Sequence, residues 1–283
     1  MIIDFRVRPP FPGFEKIGIL GKKKGYEIFP WDFPTTEPVI SAKTFSEERF
    51  FAEMQAAGIS KGVVMPRAVG NVAGGVTNEE VVAGTSRYPD LLIPFGSVDP
   101  SGDIRTVAQE IEHAVRDLGC RGIVIEPGCS VPPLRANAAR LYPLYDRCAE
   151  LGVPVVLTMS MKQGPSIALS NPADVQEAAR DFPRLNFVIA HAAYPFVLEA
   201  AAVACVTPNV WLLPDVYMNI AEIPAGRMYA EAVYLLHGRR VLYGSAYPLR
   251  GLAQSLAGLK SYNFPQDYYT LLTYQNAADL LGL

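Results

Sequence analysis

The chain has 283 residues, half of them hydrophobic and 19% charged, with a net charge of −3. That length and apolar content can bury roughly three-quarters of the unfolded surface, enough for a large core. They exclude nucleic acid as the natural partner, because the tract Lys22-Lys23-Lys24 is too short for a basic footprint. They exclude a membrane span too, since the longest apolar region, Ala200–Leu213, is broken by Thr207-Pro208-Asn209.

Short β-branched runs alternate along the chain with longer amphipathic stretches. Ile2–Arg6 is the first predicted strand, and Val7–Thr44 connects it to a helix over Glu47–Ala57. That connection is rich in Pro, Gly and aromatic residues: Phe11, Phe14, Tyr26, Phe29, Trp31 and Phe33. A connection of this length is more often functional than accidental, so it is expected to be a lid or a contact between copies of a homo-oligomer. The alternative is a surface excursion with a small core of its own.

The pattern then repeats. Strands are predicted at Gly62–Pro66, Leu91–Ser97, Gly122–Glu126, Pro154–Thr158, Asn186–Ala190, Val210–Leu213 and Arg240–Gly244. Helices are predicted at Asn78–Tyr88, Ile104–Leu118, Ala138–Leu151, Ala173–Phe182, Pro195–Val206, Ala225–His237 and Pro265–Leu281. The strands are almost continuously apolar, as in a parallel sheet buried on both faces. Gly58, Gly119 and Gly152 stand where helices end, and Asn171-Pro172 stands where one begins. Repeated βα units predict an α/β fold, a closed (β/α)₈ TIM barrel with right-handed crossovers. A doubly wound sheet would need a Gly-rich turn after its first strand, and Arg8-Pro9-Pro10 stands there instead.

In such a barrel the side chains just beyond each strand converge on one mouth. Here they are Arg6, Arg8, Arg67, Glu126, Thr158, His191, Asp215, and Ser245 with Tyr247. Arg6 and Arg8 are two apart on a strand and are expected to share a face with Asp4. Buried arginines need counter-charges, supplied by Asp4, Glu126 or Asp215, or by a bound carboxylate or phosphate. His191 is the candidate proton carrier, oriented by Asp215 or Glu126. Tyr194, Tyr217 and Tyr247 are candidate pocket phenols, with Thr158 and Tyr247 assigned to substrate binding. His113 and His237 lie in or at the end of helices and are expected at the surface. Cys129 lies in a loop on the same face but has no basic neighbour to lower its pKa. The four cysteines form no CxxC pair, and Ile2-Ile3 runs at once into Asp4 with no basic leader. A reduced cytoplasmic protein is the expectation.

Several segments in this order resemble the amidohydrolase-related family, a branch of the metal-dependent barrel hydrolases that includes aromatic-acid decarboxylases. Gly119–Pro127 resembles its G-[IV]-x-[IL]-x-P segment, and Leu141–Val155 its L-Y-P-L-Y…G-[IVL]-P-V. Phe187–His191 resembles F-V-x-A-H, Pro208–Val210 resembles P-N-V, Gly244–Pro248 resembles G-S-D-Y-P, and Asn276–Leu281 resembles N-A-A-x-L-L. The resemblance implies one barrel domain over 1–283, with 7–44 as its lid-like or interface loop. It also exposes departures. The family's I-D-x-H-x-H reads with Arg6 and Arg8 for its histidines, Thr158 stands at the fifth-strand histidine and Ala246 at the eighth-strand aspartate. Of these positions His191 alone keeps the family's residue. One imidazole beside two guanidiniums is a poor zinc site, so no metal or other cofactor is expected.

Metal-free relatives, such as the 2-pyrone-4,6-dicarboxylate lactonase and the galactarolactone isomerase, imply a hydrolase or lyase acting on a small carboxylated or phosphorylated substrate. Lactone hydrolysis, isomerisation and decarboxylation all stay open. So do a non-catalytic anion binder and a rearranged oxygen-rich site for Mg²⁺ or Mn²⁺ using Asp4, Glu126, His191 or Asp215.

Overall fold

The computed structural model describes residues 1–20, 38–71 and 73–283. Its strands are β1 (Ile3–Val7), β2 (Lys61–Val64), β3 (Leu92–Pro94), β4 (Gly96–Ser97), β5 (Ile123–Ile125), β6 (Val155–Thr158), β7 (Phe187–Ala190) and β8 (Val210–Leu213). All ladders are parallel, in the orders β1-β2-β3 and β4-β5-β6-β7-β8.

The two sheets are one barrel wall. The predicted strand Leu91–Ser97 changes partner at Phe95. Phe95 N donates to Val64 O (3.1 Å), while Gly96 N donates to Gly122 O (2.9 Å). The wall closes through residues 240–247. Leu212 N donates to Arg240 O (2.9 Å), Leu242 N to Leu212 O (2.8 Å), and Phe5 N to Tyr243 O (2.9 Å). The predicted strand Arg240–Gly244 therefore does a strand's work without forming a regular ladder; its bridges are Leu212↔Val241 and Val7↔Tyr247. Its backbone is irregular because Arg240 and Ala246 have φ of 57° and 54°.

Two apolar clusters follow from strand alternation. Ile3, Phe5, Val63, Met65, Ile93, Phe95, Val124, Val156, Val188 and Leu213 fill the barrel interior. Val7, Val64, Ile123, Ile125, Leu157, Ile189 and Leu212 face outward to the helices. Helix positions largely follow the apolar spacing, with Glu47–Ala56, Asn78–Thr85, Ile104–Arg116, Tyr142–Leu151, Pro172–Asp181, Val197–Val206 and Met228–Leu235 all formed. Asn171 caps its helix through Ala173 N, and Gly58, Gly119 and Gly152 take left-handed φ of 73°, 73° and 67°.

Two helical expectations need correction. Leu252–Lys260 is a helix absent from the sequence prediction; it completes the last βα unit. Pro265–Leu281 is not continuous: Gln266–Thr270 and Asn276–Leu281 flank a π-helical turn at Leu271–Gln275. This last segment is a plug. Ala277, Leu280 and Leu281 join the interior cluster, and Arg121, just before β5, donates to Leu281 O (2.5 Å). It covers the end of the barrel opposite the strand C-termini.

In the long β1 connection, Phe11, Phe14 and Ile17 are fully buried in the outer cluster, and Phe11 stacks on Tyr88 at 6.1 Å. The described first part of the connection is thus wall packing. Residues 21–37, with Tyr26, Phe29, Trp31 and Phe33, lie outside the described residues. Among the described residues no helix is long and apolar enough to cross a membrane.

Phe5 and Phe95 meet edge to face at 5.7 Å in the barrel interior. Phe95→Ala empties this closed core and is expected to cost about 3–5 kcal/mol of unfolding free energy by urea titration. A loss below about 1 kcal/mol would mean that the interior can collapse around the gap.

Candidate active site

The first strand carries a fault in its register, and the site depends on it. Asp4 pairs with Gly62 but Val7 pairs with Val64, so three steps on β1 oppose two on β2. Phe5 belongs to the interior and Val7 to the outer cluster, which a regular strand forbids. The extra residue turns Arg6 inward. Asp4, between Ile3 and Phe5, faces the other way. The expectation that Asp4 shares a face with Arg6 and Arg8 is therefore wrong, because alternation is broken between them.

Asp4 instead staples the wall. Its Oδ1 accepts from Arg6 N (3.1 Å) and Ser245 N (2.9 Å), joining β1 to the closing segment, while Oδ2 accepts nothing. Burial raises its pKa to about 7.

Arg6 is 1% exposed, and its Nη1 lies 3.7 Å from Asp215 Oδ2. The other oxygen, Asp215 Oδ1, accepts from His191 Nδ1 (2.9 Å) and Val216 N (2.6 Å). A carboxylate oxygen only accepts, so Nδ1 carries the proton and Nε2 is the basic nitrogen. Burial is the main cause that lowers the His191 pKa, and the charges of Arg6 and Arg8 act in the same direction against Asp215. The imidazole is thus neutral at neutral pH. Tyr217 meets its ring edge-on at 5.4 Å and stacks on Tyr194 at 4.3 Å.

Strain concentrates here. His191, Ala192 and Ala193 have φ of 64°, 42° and 60°, and Asp215 has φ 43° with ψ −122°. Such residues cost of order 1–3 kcal/mol each and persist where the surroundings hold them. Tyr229 OH, donating to Ala192 O at 2.9 Å, is one such hold.

The second group of charges stands apart. Arg67 Nε lies 3.4 Å from Glu126 Oε1, and Asn71 Nδ2 donates to Glu126 Oε2. Glu126 therefore pairs with Arg67, and Asp215 alone orients His191. These groups line a recess with Ser97, Asp99, Val124 and Cys129. Burial and the nearby Glu126 push the Cys129 thiol up to about 12, which denies it a thiolate. Arg8 Nε donates to Met65 O at 2.9 Å. Thr158, 1% exposed, lies between the two groups on β6, and its hydroxyl has no hydrogen-bond partner. His113 and His237 are exposed, as expected.

Tyr247 does not join them. Its hydroxyl bonds Ser41 Oγ (2.8 Å) and its ring packs on Phe50 at 4.9 Å, in the outer cluster. The turn at Ala246 sends it into the wall, and Tyr217 is the phenol near the imidazole. Ser97 was missed, although it ends a predicted strand like the other site residues. Asn71 gave no signal, being a loop residue placed only by folding.

The amidohydrolase family pattern matches residues 28–283. This chain belongs to the amidohydrolase family. An uncharacterised TIM-barrel protein of Bordetella bronchiseptica superposes with a TM-score of 0.90 at 32% identity, over 99% of this chain and 98% of that one. The 5-carboxyvanillate decarboxylase of Novosphingobium aromaticivorans, complexed with manganese and 4-hydroxy-3-methoxy-5-nitrobenzoic acid, superposes with a TM-score of 0.72 at 15% identity. That match covers 100% of this chain and 96% of the decarboxylase, and it establishes a shared fold. Protein fluG of Emericella nidulans is 32% identical over 77 residues, 27% of this chain and only 9% of that protein.

The donor set does not fit a metal of the kind that decarboxylase holds. Among the described residues no group of three or more His, Cys, Asp or Glu side chains could hold an ion. The one imidazole at the mouth bonds an aspartate whose other oxygen faces a guanidinium. Asp4 faces outward and Glu126 faces Arg67, so among the described residues the rearranged oxygen-rich site does not assemble either.

The Asp4 staple gives a pH prediction. The folded carboxyl keeps its proton up to about 7, whereas an ordinary aspartate titrates near 3.8. Between those values the unfolded chain holds fewer protons, so this group's contribution falls as pH rises and levels off above 7. His191 acts oppositely, removing stability as pH drops below the ordinary histidine value of 6.5. Asp4→Asn keeps the Oδ1 acceptor and should remove a decline of order a few kcal/mol between pH 4 and 7, measured by urea unfolding across pH. An unchanged profile would show that Asp4 is already ionised in the folded protein.

Proposed function

We propose that this amidohydrolase-family protein is a metal-independent hydrolase or lyase for a small carboxylated or phosphorylated substrate, with His191 as its proton carrier. The supporting observation is the chain Arg6–Asp215–His191, which joins a buried guanidinium and an oriented imidazole through one carboxylate. Arg6 and Arg8 hold the anionic group and stabilise negative charge that develops beside it, while Arg67, paired with Glu126, contacts the substrate from the far side of the mouth. Thr158 orients the reacting carbonyl through its unpartnered hydroxyl.

In lactone hydrolysis, His191 Nε2 takes a proton from water as the water oxygen adds to the carbonyl carbon. The arginines stabilise the oxyanion. As the ring carbon–oxygen bond breaks, the imidazolium returns that proton to the leaving oxygen, giving a hydroxy acid. In decarboxylation His191 Nε2 first takes a proton from solvent, and the imidazolium delivers it to the substrate carbon as the bond from that carbon to the departing carbon dioxide breaks. Asp215 stabilises the imidazolium in both and stays ionised.

The experiment is turnover on lactones and carboxylated aromatics before and after exhaustive chelation. Activity is expected to survive chelation, and His191→Ala should lower kcat by roughly 10²- to 10⁴-fold. Loss on chelation with recovery on adding Mn²⁺ would refute metal independence. Tight anion binding with no turnover would make the protein a binder.

A further inference from the structure

We propose that the recess between Arg67, Ser97 and Glu126 is a specificity subsite for a hydroxyl group, on a substrate whose one carboxylate is held by the β1 arginines. The inference rests on the anion-binding reading above and deepens it. Ser97 and Glu126 are each 6% exposed; Ser97 Oγ makes no hydrogen bond, and Glu126 Oε1 has the 3.4 Å ion pair with Arg67 Nε but accepts no hydrogen bond. Both line the recess. Their positions are fixed: Ser97 N donates to Asn78 Oδ1 (2.8 Å), Asn78 Nδ2 donates to Ser97 O (3.2 Å), and Asn71 holds the far oxygen of Glu126. Buried polar atoms left unsatisfied are costly, and a group that donates to Glu126 Oε1 and accepts from Ser97 Oγ satisfies both. A hydroxyl does this with one atom.

Size and charge narrow the choice. The recess has room for about one water-sized group, which admits a hydroxyl oxygen and not a carboxylate. Its wall carries two carboxylates, Glu126 and Asp99, against the guanidinium of Arg67, so it repels a second anion.

Register sets the reach. Ile125 pairs with Leu157 and Thr158 pairs with Ala190, so Glu126 and Thr158 stand at one level of β5 and β6, and His191 lies one residue beyond that level on β7. With strands ~4.8 Å apart, the recess lies about 10 Å from the imidazole, within reach of a six-carbon acid.

The test is calorimetric titration with hexanoate, 6-hydroxyhexanoate, adipate and 6-aminohexanoate. The hydroxy acid is expected to bind about tenfold tighter than hexanoate, with adipate weakest and the amino acid no tighter than the hydroxy acid. Ser97→Ala should abolish the hydroxyl preference and leave hexanoate unchanged. Glu126→Gln should bring adipate up towards hexanoate. Equal binding of hexanoate and 6-hydroxyhexanoate, lost in Arg6→Gln, would overturn the subsite and leave anion binding standing. A hydroxyl preference that survives Ser97→Ala, or tightest binding of adipate or the amino acid, would also overturn it. Failure of every acid to bind would overturn both proposals.

Discussion

The contact between Arg6 and Asp215 is the constraint on which the rest of the mouth depends. Both side chains are essentially excluded from water, and breaking one partner of such a pair typically costs 3–5 kcal/mol. The pair fixes Asp215 in a backbone conformation that few non-glycine residues adopt. That conformation aims Oδ1 at the imidazole, which sets the His191 tautomer. A cation on one side of the aspartate and a ring on the other thus form one unit, with no part free to move alone.

The unit exists because β1 is irregular. One extra residue between Asp4 and Val7 rotates Arg6 from the wall into the lumen. Asp4 holds that fault in place by accepting two backbone N–H groups from different segments. The same region closes the barrel, through a segment too irregular for a full ladder yet bonded to β1 and β8. Gly244 is needed there: a Cβ would lie 2.8 Å from Leu213 Cδ1 and 3.3 Å from Arg6 Cβ. Closure and site geometry share the same few hydrogen bonds.

An arginine is not a neutral replacement for a metal ligand. A bound ion polarises water and offers open coordination positions. A guanidinium is a fixed planar donor that cannot give up its proton and matches carboxylate geometry. In the proposed mechanism the exchange moves the burden of proton transfer wholly onto side chains, and a buried, oriented imidazole suits that role. The second charge pair, Arg67 with Glu126, shapes the far side of the mouth, so the lumen is positive near β1 and nearly balanced across from it.

The amino-acid order was enough to reveal the barrel, the strand-end positions of Arg6, Arg8, Arg67, Glu126, Thr158, His191 and Asp215, and the replacement of most of the family's histidines and its aspartate. These are one-dimensional properties: apolar runs, helix caps and residue types at strand ends. It was not enough to pair the charges. Glu126 and Asp215 look alike as candidates for His191, and only folding separates them, because β5 and β8 stand at different points around the barrel. Nor could it place Tyr247 in the wall or Asp4 on the outer face, since both depend on local backbone departures that break the two-residue alternation. The helix Leu252–Lys260 escaped for a related reason: its apolar residues acquire a partner only when the barrel closes. Sequence determined which chemistry stands at the mouth; tertiary structure decided which groups touch, because contact is set by register and closure, and neither is local.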